Sequence, residues 1–212
     1  MWRRGVVIYG REIFAVAAAY ALGCISIGYY LTRLRTGADI RETGSGSTGA
    51  RNVSRLLGRR WFVPTLAADF FKGSAAAGLA ILLGVDTWVV GASVLGVVAG
   101  HIWPIQLGFR GGKGVSTMFG GMAILDIRVA LAMVLVFGGA YLVTRRYMVS
   151  GMIGIAAMPA AALFWGYGAK EMPALIALTA LVILAHRGNI QSAMQERRGK
   201  AGAVFESGNQ GQ

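Results

Sequence analysis

The chain has 212 residues, of which 55% are hydrophobic and only 14% charged, with a formal net charge of +12. A soluble domain carries about 25% charged residues, and the apolar residues here come in long runs, so a separate soluble domain is excluded. The basic surplus is not interleaved with a polar fold that would lay it along nucleic acid, which leaves membrane loops or a phosphate-bearing ligand as its use.

Apolar segments follow one another at residues 13–31, 61–83, 87–105, 115–125, 129–143, 148–165 and 172–185. A crossing needs about 20 apolar residues; several segments are shorter, residues 115–125 most of all. Backbone groups in lipid must be bonded internally and no barrel-type alternation is present, so helices are the expected spanning structure. The expected fold is an all-α membrane protein, a bundle of about seven transmembrane helices. One polytopic domain is expected over residues 1–200, with a disordered Gly- and Gln-rich tail at 201–212.

In the first segment stands the one cysteine, Cys24. Alone it makes neither an internal disulfide nor a metal site. It reads as a small core residue rather than a lipidated terminus, because Arg11 and Glu12 interrupt any leader and Ala21 stands where a larger aliphatic residue is needed. No cleaved leader is expected. Gly23, Gly28, Gly91, Gly96, Gly151 and Gly154 read as close-packing positions between helices.

Residues 33–60 are too long for an ordinary connector. They hold Gly44-Ser45-Gly46-Ser47-Thr48-Gly49 and then Ala50-Arg51-Asn52-Val53-Ser54-Arg55-Leu56-Leu57. The second part has the spacing of a short amphipathic helix, with Val53, Leu56 and Leu57 on one face, Arg51 and Arg55 on another, and Ser47 or Thr48 as the expected cap. Glycines let backbone N–H groups converge, and a helix N-terminus adds positive potential, which suits a phosphate. A flexible loop with a helix lying on anionic lipid fits equally well.

Within the next segment, Asp69 and Lys72 are three apart in Asp69-Phe70-Phe71-Lys72-Gly73 and share a helix face. Ionisable residues inside a span point either to function or to an internal ion pair that fixes packing. Gly100-His101-Ile102-Trp103-Pro104 then precedes Phe109-Arg110-Gly111-Gly112-Lys113-Gly114-Val115-Ser116-Thr117. This is no Walker A loop: Gly108 and Gly112 are too close, glycine follows Lys113, and no strand precedes it. The physical logic is shared all the same, with backbone donors, a cation and a helix start. His186-Arg187-Gly188-Asn189 closes the last segment. Neither a Ser–His–Asp set nor a metal cluster is evident.

Lys and Arg fall unevenly on the two sides of such a bundle. One side receives Arg33, Arg35, Arg41, Arg51, Arg55, Arg59, Arg60, Arg110, Lys113, Arg145, Arg146, Arg187, Arg197, Arg198 and Lys200; the other receives Arg3, Arg4, Arg11, Arg128 and Lys170. The basic side is the expected cytoplasmic one, with the C-terminus inside and the N-terminus outside.

These motifs, in this order, resemble the bacterial acyl-phosphate:glycerol-3-phosphate acyltransferase family, the PlsY type. The likeness covers about residues 19–189. It implies a seven-helix bundle in the inner membrane with its active site facing the cytoplasm. It also implies transfer of a fatty acyl group from acyl phosphate to glycerol 3-phosphate, giving lysophosphatidic acid and phosphate in phospholipid biosynthesis. By that resemblance Ser45, Lys113, His186 and Asn189 are the expected catalytic residues. Gly44, Gly46, Arg51, Asn52, Arg55, His101, Gly111, Gly112, Gly114 and Thr117 are the expected substrate and phosphate contacts. Asp69 and Lys72 are held as a structural ion pair, and neither metal nor cofactor is expected. Expected partners are the two substrates and membrane lipid, not nucleic acid, with a monomer as the working expectation. The chain departs from the family pattern at Ser47 and Arg51, where Asn and Thr are usual, and at Ser192-Ala193-Met194. These departures keep open a non-catalytic lipid-binding protein; a transporter or binding protein for a phosphorylated solute is a separate alternative.

Overall fold

The computed structural model describes residues 2–189. The expected disordered tail at 201–212, the departure at Ser192-Ala193-Met194 and the cations Arg197, Arg198 and Lys200 lie outside the described residues. The described part is helical: α1 (Trp2–Cys24), α2 (Ile27–Thr36), α3 (Ala50–Leu57), α4 (Phe62–Leu82), α5 (Thr87–Ile102), α6 (Val115–Leu125), α7 (Ile127–Thr144), α8 (Tyr147–Ala156), α9 (Met158–Phe164) and α10 (Met172–Ala185), with single-turn helices at Ile40–Glu42, Arg59–Trp61 and Ile105–Leu107.

Local chemistry sets the breaks. Pro64, Pro159 and Pro173 lie in the first turns of α4, α9 and α10, where the missing N–H has no intrahelical acceptor, and Pro104 follows the end of α5. Gly37 ends α2 in the left-handed region and returns its N–H to Arg33. Asp126 separates α6 from α7 and caps the latter by accepting from the Arg128 N–H.

Among the described residues, five helical stretches are long and apolar enough to cross a membrane: Gly10–Thr36, Arg59–Leu82, Thr87–Leu107, Ile127–Thr144 and Tyr147–Phe164. The remaining apolar helices, α6 and α10, have 11 and 14 residues, about 16 and 21 Å at 1.5 Å per residue. Neither matches a hydrocarbon core of about 30 Å alone. The loop before α6 and the helical residues 187–189 beyond α10 extend these two segments.

At the centre stands α5, which buries Val89, Val90, Val94, Val97 and Val98 and packs against α1, α4, α6 and α10. Alternating helix directions leave two ends. One gathers the 37–49 loop, α3, the α5–α6 loop and residues 186–189. The other gathers the turns around Asp86, Asp126 and Glu171. Large apolar side chains such as Leu135, Val143 and Phe164 point outward, as lipid-facing residues do.

Candidate active site

The α5–α6 loop begins as a continuation of α5. A helix end leaves its last carbonyls without partners. Here the Gly112 N–H donates to the His101 carbonyl at 2.9 Å and the Gly111 N–H to the Ile102 carbonyl at 3.0 Å. The chain doubles back against its own helix, and only glycine fits at 112, because a Cβ there would overlap the His101 ring. This places Lys113 beside the end of α10, where its ammonium donates to Asn189 Oδ1 at 2.5 Å.

Around Lys113 the remaining polar groups converge. Arg51 and Arg55, both exposed on α3, lie close enough to lower the Lys113 pKa, after burial, which lowers it most. His186, buried just past α10, has Nδ1 2.8 Å from the Val182 carbonyl. A carbonyl accepts, so Nδ1 carries the hydrogen and Nε2 keeps its lone pair. Burial first, and then the Lys113 charge, depress the His186 pKa. The site thus holds three cations beside an imidazole whose Nε2 is free to accept. Such an arrangement can hold a phosphate and orient a hydroxyl.

The 37–49 loop is held over this region by Asn52. Its amide nitrogen donates to the carbonyls of Ile40, Thr43 and Ser47 at 3.1, 2.9 and 3.0 Å, and its oxygen accepts from the Ser45 N–H at 3.1 Å. Gly44, at φ 58°, lies against that amide oxygen. The expected role of Asn52 was phosphate contact; its polar atoms are committed to the loop's own backbone instead. The expected caps differ too. Gly49 is the N-cap residue of α3 and no side chain caps it, because Ser47 Oγ turns to accept from the Gly49 N–H at 3.3 Å. Two bonds tie this loop to its glycine-rich counterpart: Thr48 N–H to the Gly111 carbonyl at 3.4 Å and Arg41 to the Leu107 carbonyl at 2.5 Å. Ser45 is exposed on the loop.

Two expected contacts lie deeper. Thr117 is fully buried at the α4–α6 crossing, its carbonyl against Gly73. His101 is buried too, with Nδ1 2.6 Å from Lys72 Nζ and 3.5 Å from Asp69 Oδ1, while Lys72 lies 3.1 Å from the same carboxylate oxygen. Sequence reasoning placed His101 apart from Asp69 and Lys72; the missing signal was depth, since the α5 residue sits level with the middle of α4. A recess of about 550 Å³ opens at the opposite end, lined by Asp126, Arg128, Trp165, Tyr167 and Glu171 among others. It lies away from the basic cluster.

Comparisons with known proteins cover most of the chain. Residues 13–196 match the sequence pattern of the family described as Glycerol-3-phosphate acyltransferase. The chain is 37% identical over 185 residues to Glycerol-3-phosphate acyltransferase 1 of Desulfitobacterium hafniense (strain Y51), covering 87% of this chain and 92% of the relative. It is 38% identical over 191 residues to Glycerol-3-phosphate acyltransferase of Aquifex aeolicus (strain VF5), covering 88% and 97%. A crystal structure of PlsY (YgiH), an integral membrane glycerol 3-phosphate acyltransferase in its glycerol 3-phosphate form, is similar with a TM-score of 0.80 and 35% identity, over 88% of this chain and 93% of that one. The lysophosphatidic acid form gives a TM-score of 0.77 at 34% identity, with the same coverage.

Proposed function

Because the chain belongs to the glycerol-3-phosphate acyltransferase family, we propose that it transfers a fatty acyl group from acyl phosphate to glycerol 3-phosphate at the cluster around Lys113. It is an acyltransferase of phospholipid synthesis. The observation that carries the site is the meeting of Lys113, Arg51 and Arg55 with His186 and Asn189, two anion-holding arms and one hydroxyl-orienting arm at one end of the bundle. Family membership sets aside the transporter expectation.

Acyl phosphate is an activated mixed anhydride, so no acyl-enzyme is needed. The glycerol hydroxyl oxygen attacks the acyl carbon, the bond from that carbon to the phosphate oxygen breaks, and the hydroxyl proton leaves with the phosphate. The products are lysophosphatidic acid and hydrogen phosphate. His186 Nε2 accepts from the attacking hydroxyl and orients it, with Asn189 beside it. Lys113, Arg55 and Arg51 hold phosphate oxygens, Arg51 adding a cation where the family pattern has Thr. Ser45 and the amides of Gly44 and Gly114 complete the donors, while the expected Gly46, Gly111 and Gly112 contacts serve the loops instead, their N–H groups donating to the Thr43, Ile102 and His101 carbonyls. Catalysis by this set is positioning and electrostatic stabilisation of developing charge. The reading extends to a multi-pass, seven-span monomer in the bacterial inner membrane, with N-terminus outside, C-terminus inside and this cluster facing the cytoplasm.

Purified protein in neutral detergent, given acyl phosphate and glycerol 3-phosphate, is expected to release phosphate only when both are present, with lysophosphatidic acid identified by mass. Acylation sustained by acyl-CoA and not by acyl phosphate would overturn the donor.

A further inference from the structure

Beneath the glycine-lysine loop lies a buried polar group that the acyl transfer does not touch. Lys72 Nζ faces four acceptors: the carbonyls of Gly23 and Ile25 at 3.2 and 3.1 Å, Asp69 Oδ1 at 3.1 Å and His101 Nδ1 at 2.6 Å. The ammonium thus joins the break between α1 and α2 to α4 and α5. Because it donates to Nδ1, the ring hydrogen sits on Nε2, and the Nε2 edge is the one turned to Gly112. Imidazole and lysine are both buried and bonded, so the ring cannot swing aside. It is a fixed floor under the residue next to Lys113.

We propose that Lys72 and His101 are positioning residues for the acyl transfer: Lys72 locks the imidazole, and the imidazole sets the height and direction of the Gly111-Gly112-Lys113 backbone that carries the phosphate-holding Lys113 ammonium. The proposal rests on the acyltransferase reading for its kinetic consequence. Its geometric consequence stands alone, because it concerns the loop without substrate. A residue argued to act through backbone placement governs how well phosphate is gripped, and a displacement of about 1 Å at a reacting centre costs about 100-fold.

The test is a double-mutant cycle on Gly112→Ala and His101→Ala, with hydrogen exchange of the 108–118 amides as a readout that needs no activity. Gly112→Ala is expected to lose about 100-fold in kcat/KM, since its methyl meets a ring that cannot yield. His101→Ala is expected to raise KM by about tenfold, with a smaller effect on kcat, and to speed exchange of the loop amides. In the double variant the methyl fills the space the ring vacates, so kcat/KM recovers at least about tenfold over Gly112→Ala alone. Losses that simply multiply, or unchanged exchange in His101→Ala, would overturn the proposal; a merely structural imidazole predicts both. Should His101→Ala fail to insert, His101→Asn keeps an acceptor for Lys72, removes the Nε2 edge and runs the same cycle. Should the wild type lack acyl transfer, the acyltransferase reading fails and the exchange result still decides the floor.

Discussion

Lys113 carries the sharpest consequences at the scale of a single residue. Replacement by Ala removes the charge and leaves the flanking glycines as they are. Hydrogen bonds to charged groups contribute about 1.5–3 kcal/mol, and each 1.36 kcal/mol is tenfold in rate, so Lys113→Ala is expected to lose at least about tenfold in kcat/KM while still inserting. Arg at this position restores charge but brings a wide planar fork into a tight glycine setting, and recovers activity in part. The pH profile separates the two. Burial and the neighbouring arginines lower the Lys113 pKa, so the free enzyme loses this cation on raising pH earlier than an exposed lysine would. The kcat/KM of the wild type therefore falls on an alkaline limb below the ordinary lysine value, and Lys113→Arg, which stays charged, lacks that limb. The setting of Lys113, in a glycine turn just ahead of a helix, was legible in the sequence. The His101–Lys72 contact was not, because its partners are 29 positions apart and their meeting depends on how deep each helix sits.

The elements show why some motifs read more easily than others. Helices α4, α5 and α7 follow the apolar runs closely, while the breaks between α1 and α2 and between α8 and α9 interrupt runs that read as continuous. The first break has a remote cause: Lys72 satisfies the carbonyls of Gly23 and Ile25, and a cation at the carboxyl end of a helix is favourable. The amphipathic α3 was visible from its spacing, yet Asn52 has a task no spacing reveals, since three carbonyls spread along the preceding loop converge on it. Asn52→Leu is expected to take the amide from the Ser47 carbonyl and the Ser45 N–H, each loss costing about 1–3 kcal/mol where buried, while the Ile40 and Thr43 carbonyls keep their bonds from the Thr43 and Gly46 N–H groups. The loop then loosens, and proteolysis between residues 37 and 49 accelerates while the bundle stays inserted. Unchanged cleavage would remove Asn52 as the loop's organiser. The crossing of α1 and α5 makes a contrasting case. Gly23 and Gly100 face each other there, and a Cβ at 100 would overlap the Tyr20 carbonyl. Gly100→Leu is expected to push the helices apart and lower thermal stability in detergent, whereas Gly151→Leu should leave the melting temperature nearly unchanged, because a Cβ at 151 meets nothing within 4 Å and the expected close packing is absent there.

The whole molecule is polar in the electrical sense, and that asymmetry argues its orientation. Seven arginines between residues 33 and 60, the Lys113 loop and the Arg145–Arg146 turn gather at one end; Asp86, Asp126 and Glu171 mark the other, with Arg11, Arg128 and Lys170 among its cations. Lys and Arg accumulate on cytoplasmic loops, and a phosphate-handling site served by soluble glycerol 3-phosphate belongs on the same side. Single-cysteine labelling tests this directly. Cys24 is buried and is replaced by Ala so that it contributes no signal. Ser45→Cys and Lys113→Cys then report the basic end, and Lys170→Cys, at an exposed position, reports the other. In intact cells a membrane-impermeant maleimide is expected to label Lys170→Cys alone; Ser45→Cys and Lys113→Cys should react only once the membrane is opened. Labelling of Ser45→Cys from outside, with Lys170→Cys protected, would invert the bundle. It would also put the proposed phosphate site on the face away from the cytoplasm.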